Sequence, residues 1–262
     1  MNFEYFFLHE DTLIERNLDI GFELYGVGHL VWLAAITAAI IIYSSHYKKL
    51  SQGKRDKVKK FFAVAILLSE IYKDIVILII KAPIINYLPL HLCSFAIFAM
   101  LLDAFGRKKP LIKQMFAFAF APGAAAALLF CNWTCYPFFH FMTIHSFVFH
   151  GWIIMYFVMQ YRSGEVELTY KGLWKSLAII YACAVPVCLI NKAWGTNYMF
   201  LNAASEGSPL VILWQIFGPA FGEMGYLVSY AAFAAVVLNV IYLMYMLLGR
   251  IFKKGEPKRE NL

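Results

Sequence analysis

Apolar residues fall in long blocks along this chain, and short polar segments separate the blocks. About 20 consecutive apolar residues cross the hydrocarbon core of a bilayer as an α-helix. Seven blocks approach that length and predict seven transmembrane helices: 27–43, 61–80, 88–105, 114–130, 141–161, 176–191 and 221–248. A further apolar stretch, 209–220, is too short to span, so we expect an interfacial or re-entrant segment there.

The composition agrees with this pattern. Of the 262 residues, 61% are hydrophobic and only 15% are charged, whereas soluble domains contain about 45–50% apolar and about 25% charged residues. We therefore predict an all-α polytopic membrane bundle in a single domain. Its parts are an outer N-terminal segment 1–26, a seven-helix bundle 27–248 and a basic cytoplasmic tail 249–262. No cleavable signal peptide is expected, because no basic region precedes an apolar core.

Basic residues mark one side of the predicted bundle. Most of the Lys and Arg residues lie after the first, third and fifth spans and in the tail: 48–60, 107–113, 162–175 and 250–259. Positive residues collect on the cytoplasmic side, so we predict that the N-terminus is outside and the C-terminus is cytoplasmic. The net charge of +7 then reflects topology, with attraction to anionic lipid headgroups as a second effect. No compact basic domain favours nucleic-acid binding.

Ionisable side chains inside a predicted span are costly and point to function. They occur in or near five of the spans: His29, Glu70, Lys73, Asp74, His91, Cys93, His145, His150 and Glu223. With alternating topology, nearly all of them fall in the outer half of the bundle, which predicts a polar cavity there. The alternative is a self-neutralising ion cluster of Glu70, Lys73 and Asp74, which are helix neighbours at i, i+3 and i, i+4.

The segment Leu-Pro-Leu-His-Leu-Cys at 88–93 holds the strongest candidate chemistry. Pro89 suits the first turn of a helix, which would place Cys93 within about one turn of a helix N-terminus and its partial positive charge. His91 adds an imidazole, as in Cys–His nucleophile pairs. The alternative is a buried cysteine used for packing, with His91 hydrogen-bonded to the backbone.

The other cysteines and histidines give weaker signals. Cys131 and Cys135 form a disulfide only if the backbone brings them close enough. His145 and His150 are separated by about 140° around an α-helix, so they face different points. No spacing typical of a zinc site occurs, and we expect no metal and no other cofactor. A metal-dependent membrane hydrolase stays an alternative.

Four motifs, in this order and spacing, are those of a known family: a Gly-x-Gly-His segment ending at His29, the 88–93 segment, His150-Gly and Asn-Tyr-Met-Phe-Leu at 197–201. On these motifs the chain resembles the YwaF / transmembrane protein 164 family of integral membrane proteins. The eukaryotic member of that family transfers a fatty acyl chain to a lysophospholipid through a cysteine nucleophile. The related androgen-induced family hydrolyses fatty acid esters with a Thr–His pair.

The resemblance implies acyl transfer between membrane phospholipids and lysophospholipids. It matches Cys93 to the nucleophile and His150 to the histidine base, with His145 as a rival for the base and His91 as the histidine beside the cysteine. Candidate substrate-binding residues are the remaining polar side chains: Asn197, Tyr198, Glu70, Asp74 and His29. An oxyanion site would come from backbone N–H groups near Pro89 or from Asn197.

A different class of function also fits the polar pattern. A transporter, receptor or pore-forming effector would use Glu70, Lys73, Asp74 and Glu223 along a polar path. Short loops favour a bacterial plasma-membrane protein in either case.

Overall fold

The computed structural model describes residues 5–16, 18–106 and 110–253, and every regular element in these ranges is helical. The predicted all-α class is therefore confirmed. The α-helices are α1 (Glu10–Glu15), α2 (Val27–Lys48), α3 (Gln52–Ile79), α4 (Leu92–Phe105), α5 (Pro110–Met115), α6 (Ala121–Leu129), α7 (Phe141–Arg162), α8 (Tyr170–Trp194) and α9 (Leu210–Lys253). Two short 3-10 turns cover Ile84–Asn86 and Tyr198–Phe200. The basic residues 107–109 and the tail from residue 254 lie outside the described residues.

Five helical segments are long and apolar enough to cross a membrane: Val27–Lys48, Pro110–Leu129, Phe141–Arg162, Tyr170–Trp194 and Leu210–Leu247. They correspond to the first, fourth, fifth, sixth and seventh predicted spans. An α-helix satisfies the hydrogen bonds of its backbone N–H and C=O groups internally. An apolar helix of such length is therefore compatible with a hydrocarbon environment. The chain is accordingly an integral membrane protein.

The second and third predicted spans correspond to α3 and α4, which differ from the other five. α3 is 28 residues long, but Glu70, Lys73 and Asp74 interrupt its apolar part. α4 has 14 residues and a length of about 21 Å. That is shorter than the roughly 30 Å of a hydrocarbon core, because residues 88–91 form a loop and not the predicted first helical turn.

A π-helix at Phe116–Phe120 joins α5 to α6 in one continuous segment. Pro122 follows it in the first turn of α6 and has no N–H to donate to the Phe118 carbonyl four residues earlier. This missing bond favours the wider turn at that place. All five residues of the π-helix are buried, and Ala124 is 0% exposed. The stretch of small residues here is therefore part of the core.

α7 lies at the centre of the bundle. It packs against α2, α3, α4 and α6, and half of its membrane-length segment is buried, compared with 6% for that of α9. Gly151 of α7 faces α2, and a Cβ at that position would stand 3.0 Å from Ile36 Cγ2, so glycine allows α2 and α7 to approach closely. Because α7 is central, its histidines His145 and His150 are carried into the interior of the bundle.

α9 contains a backbone break close to the predicted start of the last span. Gly222 has φ +60° and ψ −152°, a conformation that side-chain-bearing residues rarely adopt. Pro219 lies one turn before it and removes a backbone donor. The break divides α9 near residue 221, where the sequence predicts the last span to begin.

The N-terminal segment covers the end of the bundle where α7 begins. The Phe22 N–H donates to the Thr134 carbonyl at 2.9 Å, and Phe141 N–H donates to the Phe6 carbonyl at 3.1 Å. Gly21 makes this approach feasible, because a Cβ there would lie 2.2 Å from the Thr134 oxygen. Leu13 of α1 is 2% exposed, so the segment is anchored by apolar burial as well.

Candidate functional site

Cys93 is the second residue of α4, which begins at Leu92. The predicted helix start at residue 88 is therefore too early. The Leu90 N–H bonds to the Leu88 carbonyl at 2.7 Å and closes a tight turn there. His91 follows with extended backbone angles, φ −74° and ψ 153°, and is the N-cap residue. The cysteine nevertheless lies in the first turn of a helix, as expected.

The Cys93 side chain is partly buried between α4 and α6. Gly123 of α6 faces the thiol, and a Cβ at Gly123 would stand 3.8 Å from Sγ. Tyr230 of α9 packs against the same apolar cluster as Leu92, the residue before the cysteine.

Backbone N–H groups at the start of α4 add to the chemistry beside the thiol. The first N–H groups of a helix have no acceptor within the helix. Within the described residues, the N–H groups of Leu92 and Cys93 have no hydrogen-bond partner, whereas that of Ser94 bonds to the His91 carbonyl at 3.0 Å. The sulfur therefore lies next to two available donors and the positive end of a helix dipole.

His91 is held by the loop that contains the second 3-10 turn. The Met199 N–H donates to His91 Nδ1 at 3.2 Å, and the ring lies 5.2 Å from the Tyr198 ring and 5.8 Å from the Phe200 ring, centroid to centroid. Because Nδ1 accepts a hydrogen bond, the neutral ring carries its proton on Nε2. His91 is therefore a hydrogen-bond donor through Nε2.

His150 has the opposite tautomer. Its Nδ1 lies 2.7 Å from the Ser146 carbonyl oxygen, and a carbonyl oxygen only accepts, so Nδ1 carries the proton. The lone pair is then on Nε2, the atom that a general base uses. The Trp133 ring stacks on the imidazole at 5.5 Å with an angle of 9° between the planes, which restrains the orientation of the ring.

Glu70, Lys73, Asp74 and His145 form a charge cluster between α3 and α7. Lys73 Nζ donates to Glu70 Oε1 at 2.7 Å and to the Tyr87 carbonyl at 2.8 Å, and it lies 3.1 Å from Asp74 Oδ1. His145 Nε2 lies 3.8 Å from Glu70 Oε2. The angles at Asp74 Oδ1 and the distance at His145 Nε2 leave both atoms buried without a hydrogen bond to a described residue. Two carboxylates thus face one ammonium group.

These polar groups meet at one end of the bundle. The His145 and His150 rings each lie 5.5 Å from the Phe149 ring, centroid to centroid. Lys73 bonds to the Tyr87 carbonyl in the loop that leads to His91. Among the residues that the structure describes, no hydrogen bond joins Cys93 Sγ to any of the three imidazole rings. The fold therefore gathers the predicted histidines in one region without a direct thiol–imidazole bond.

Asn197 and Tyr198, predicted to bind substrate, organise their own loop. Asn197 Oδ1 accepts from two backbone N–H groups of the loop, at 3.0 and 3.2 Å, and its Nδ2 donates to a third backbone atom at 2.9 Å. The Tyr198 hydroxyl donates to the Ile85 carbonyl, and its side chain is 1% exposed. The same loop carries Met199, whose N–H donates to His91 Nδ1. Asn197 and Tyr198 therefore position His91 indirectly, by holding this loop.

His29 and Glu223 have partners of their own elsewhere. His29 Nδ1 accepts from the Tyr25 N–H at 2.9 Å, and its Nε2 donates to the Leu128 carbonyl at 2.7 Å, so both ring nitrogens are occupied. Glu223 pairs with Lys192 at 3.6 Å, and both side chains are more than half exposed. His29 thus connects the start of α2 to the end of α6.

Three residues next to the site were not found by sequence reasoning: Trp133, Gly123 and Tyr230. Aromatic residues are 18% of the chain, and most of them are expected to face lipid or the membrane interface. The sequence therefore gives no reason to single out Trp133 or Tyr230. Gly123 belongs to a run of small residues that predicts close helix contact in general. Only the tertiary contacts identify these three positions.

Within the described residues, no group of three or more His, Cys, Asp or Glu side chains is arranged to hold a metal ion. All five cysteines are free thiols, including Cys131 and Cys135, which lie in the loop after α6.

Comparison with known proteins gives one match. A family model described as the TMEM164 family matches residues 24–249. No curated protein and no solved structure matches the chain. The matched region contains α2 to α8 and most of α9, and with them every candidate site residue.

Proposed function

Because this chain belongs to the TMEM164 family, we propose that it is a membrane-embedded acyltransferase or transacylase of phospholipids. Membrane phospholipids donate the acyl chain, lysophospholipids accept it, and Cys93 carries it as a thioester. One observation supports this most strongly: the Cys93 thiol lies beside unpaired helix N–H groups, in a region with two histidines of opposite tautomer. A base and a hydrogen-bond donor are what acyl transfer requires next to a nucleophile.

The proposed reaction has two halves. His150 Nε2 accepts the thiol proton, and the Cys93 thiolate attacks the ester carbonyl of the donor lipid. The ester C–O bond breaks, His150 returns the proton to the departing lysolipid oxygen, and a thioester remains. A lysophospholipid hydroxyl then gives its proton to His150 and attacks the thioester carbonyl; the C–S bond breaks, and the thiolate recovers the proton. Catalytic hydrogen bonds often tighten only when substrate binds.

Charge develops on the carbonyl oxygen in each tetrahedral intermediate. The N–H groups of Leu92 and Cys93 and the Nε2–H of His91 are the proposed donors to that oxygen. Asn197 was the other donor considered from the sequence, but its side-chain amide is engaged within its own loop. This engagement favours the start of α4 as the oxyanion site.

We extend the proposal to the topology. α3 and α4 are taken as spans two and three, which gives seven spans, an N-terminus outside and a cytoplasmic C-terminus. Ion pairing of Lys73 with Glu70 and Asp74 offsets the cost of placing these charges in α3. Basic segments on alternate connections support the orientation, and short connections such as 49–51 support a bacterial plasma-membrane protein. Reporter fusions after α2 and after α3 should report opposite sides.

The decisive experiment replaces the nucleophile. Cys93→Ala in purified, lipid-reconstituted protein is expected to abolish transfer of a radiolabelled acyl chain between phospholipid and lysophospholipid and to abolish the labelled protein thioester. Cys188→Ala is the matched control, because Cys188 is also a partly buried helical cysteine. Transfer that survives in Cys93→Ala, at the rate of the control, would refute the mechanism.

A non-catalytic transporter, receptor or pore is the second candidate, and the charge cluster is the observation that favours it. The buried Asp74 Oδ1 and His145 Nε2 atoms have no hydrogen bond to a described residue, although each faces a charged group of the cluster. This unused hydrogen-bonding capacity would suit a polar solute or ion. This function predicts flux in liposomes that is lost in Asp74→Asn and retained in Cys93→Ala. Absence of flux in the unchanged protein would remove it.

A further inference from the structure

The exposed face of α3 near its N-terminal end carries a shallow groove that the proposed reaction does not use. Six side chains line it: Lys57, Lys60, Phe61, Val64, Ala65 and Leu68. They are spaced by three and four residues, so they share one face of the helix. The small Ala65 leaves a notch between the larger apolar side chains, and the two lysines lie together at one end. The groove is therefore cationic at one end and apolar along the rest.

Among the described residues, the positive charges of this groove are not held in salt bridges. Within the described residues, neither Lys57 nor Lys60 forms an ion pair, and Lys60 Nζ lies 5.5 Å from the centroid of the Phe105 ring. Asp56, a nearby acid on α3, is already paired with another lysine at 3.0 Å. The two lysines of the groove therefore have no salt-bridge partner of their own within the described residues.

We propose that this groove binds one anionic phospholipid. The headgroup phosphate lies against the Lys57 and Lys60 ammonium groups, and an acyl chain follows the apolar face into the notch at Ala65. A molecule with a negative head and an apolar chain matches both ends of the groove, which a free phosphate or a zwitterionic lipid does not. This lipid is not a substrate, because Lys57 lies about 24 Å along α3 from Lys73 in the charge cluster.

The test uses the full-length protein in phosphatidylcholine nanodiscs that contain a minor fraction of phosphatidylglycerol with a photoreactive acyl chain. Photolabelled peptides are mapped by mass spectrometry. Labelling is expected on the 61–68 segment, and unlabelled phosphatidylglycerol is expected to compete better than phosphatidylcholine. In the Lys57→Gln/Lys60→Gln variant, labelling of this segment should fall roughly 10- to 30-fold, whereas Lys57→Arg/Lys60→Arg should retain it.

The matched control is Lys171→Gln/Lys175→Gln, which removes the same number of charges from two exposed lysines of α8. This control is expected to label like the unchanged protein. Ala65→Phe tests the notch with all charges kept, and it should reduce labelling of 61–68. Equal losses in the α3 and α8 double variants, equal competition by phosphatidylcholine, or unchanged labelling in the α3 variant would each overturn the proposal.

Discussion

The two ends of α7 carry polar networks of opposite character. Beyond its C-terminal end, the Glu165 carboxylate is within 3.7 Å of four partners on three helices: Tyr47, Arg55, Lys59 and Lys113. Near its N-terminal end, Asp74 Oδ1 and His145 Nε2 are buried without a hydrogen bond to a described residue. A buried polar group without a partner is costly. The first network therefore fastens helices together, whereas the second leaves two buried atoms without a hydrogen bond.

The histidines repeat this contrast. His29 and His140 each accept a backbone N–H on Nδ1 and donate to a backbone carbonyl from Nε2, so neither has a free nitrogen. His91 and His150 each have one nitrogen bonded to the backbone, and Nε2 of each has no hydrogen bond to a described residue. The number of occupied ring nitrogens thus separates histidines that hold the fold from those available for chemistry.

The largest expected effect tests the free nitrogen of His150. His150→Ala should lower the rate of acyl transfer by about 10²- to 10⁴-fold, the usual contribution of a general base. His29→Ala is the contrasting variant, because its ring is fully occupied: it should lower the melting temperature with little change in rate per folded molecule. A normal rate in His150→Ala together with an inactive His145→Ala would assign the base to His145.

The second prediction separates the two nitrogens of His91. His91→Asn keeps an acceptor near the Nδ1 position for the Met199 N–H but removes the Nε2 donor, so transfer should slow by about 10²- to 10³-fold. His91→Gln places an amide N–H near the Nε2 position and should retain more activity. Rates are compared at saturating lipid, since an oxyanion donor affects kcat. Equal rates in both variants would contradict the assigned tautomer.

The third prediction concerns the opposite network. Glu165→Gln should reduce the free energy of unfolding by about 3 kcal/mol, because Arg55 and Lys113 lose their counter-ion and Lys59 keeps only Asp56. Unfolding in mixed detergent measures this, and transfer per folded molecule should be unchanged. Glu167→Gln is the matched control, since Glu167 is an exposed acid in the same loop. If both variants unfold alike, the network does not stabilise the fold.

The smallest expected effect is a pH dependence of the N-terminal segment. Burial lowers the pKa of His140 to about 4, from an ordinary value of 6.5. The neutral ring is therefore the folded form, and its contribution to stability is present above pH 6.5 and is lost as the pH falls toward 4. A charged ring is costly in this buried place, and protonation of Nδ1 also breaks its bond from the Met142 N–H. When the ring leaves, its bond to the Leu8 carbonyl is lost, so residues 5–16 should become more accessible to protease.

His140→Asn tests the cause of this change. The asparagine oxygen keeps an N-cap acceptor but does not titrate in this range, so the acid-induced exposure of the segment should weaken in the variant. Hydrogen exchange at pH 7 and pH 5 provides a second measurement. Parallel loss of protection in both proteins would assign the pH effect to other groups.

The fold was largely predictable because hydrophobic blocks of membrane length need no tertiary information. The blocks at 27–43 and 141–161 fall within α2 and α7, and the predicted boundary at residue 221 lies next to the break at Gly222. The start of α4 at Leu92 was missed because the leucine-rich residues 88–92 fit a helix as well as a tight turn. Proline at 89 fits either case.

The candidate site was predictable as a set of residues but not as an arrangement. Charged and imidazole side chains at membrane depth are rare, so His91, His145 and His150 could be identified one by one. Cys93 was identified by its place beside His91 in the 88–93 segment. Their roles depend on which nitrogen meets the backbone, and that depends on loops distant in the chain. Met199 determines the tautomer of His91 although 108 positions separate them.

The sequence by itself determined that this protein is helical and lies in a membrane. The free energy of transferring each apolar block into lipid is a sum over the residues of that block. Tertiary structure alone decided which polar atoms are saturated. Hydrogen-bond satisfaction is a property of pairs, and the partners of Glu165 come from helices α2, α3 and α5. For the same reason, only the tertiary structure shows that the N–H groups of Leu92 and Cys93 have no acceptor among the described residues.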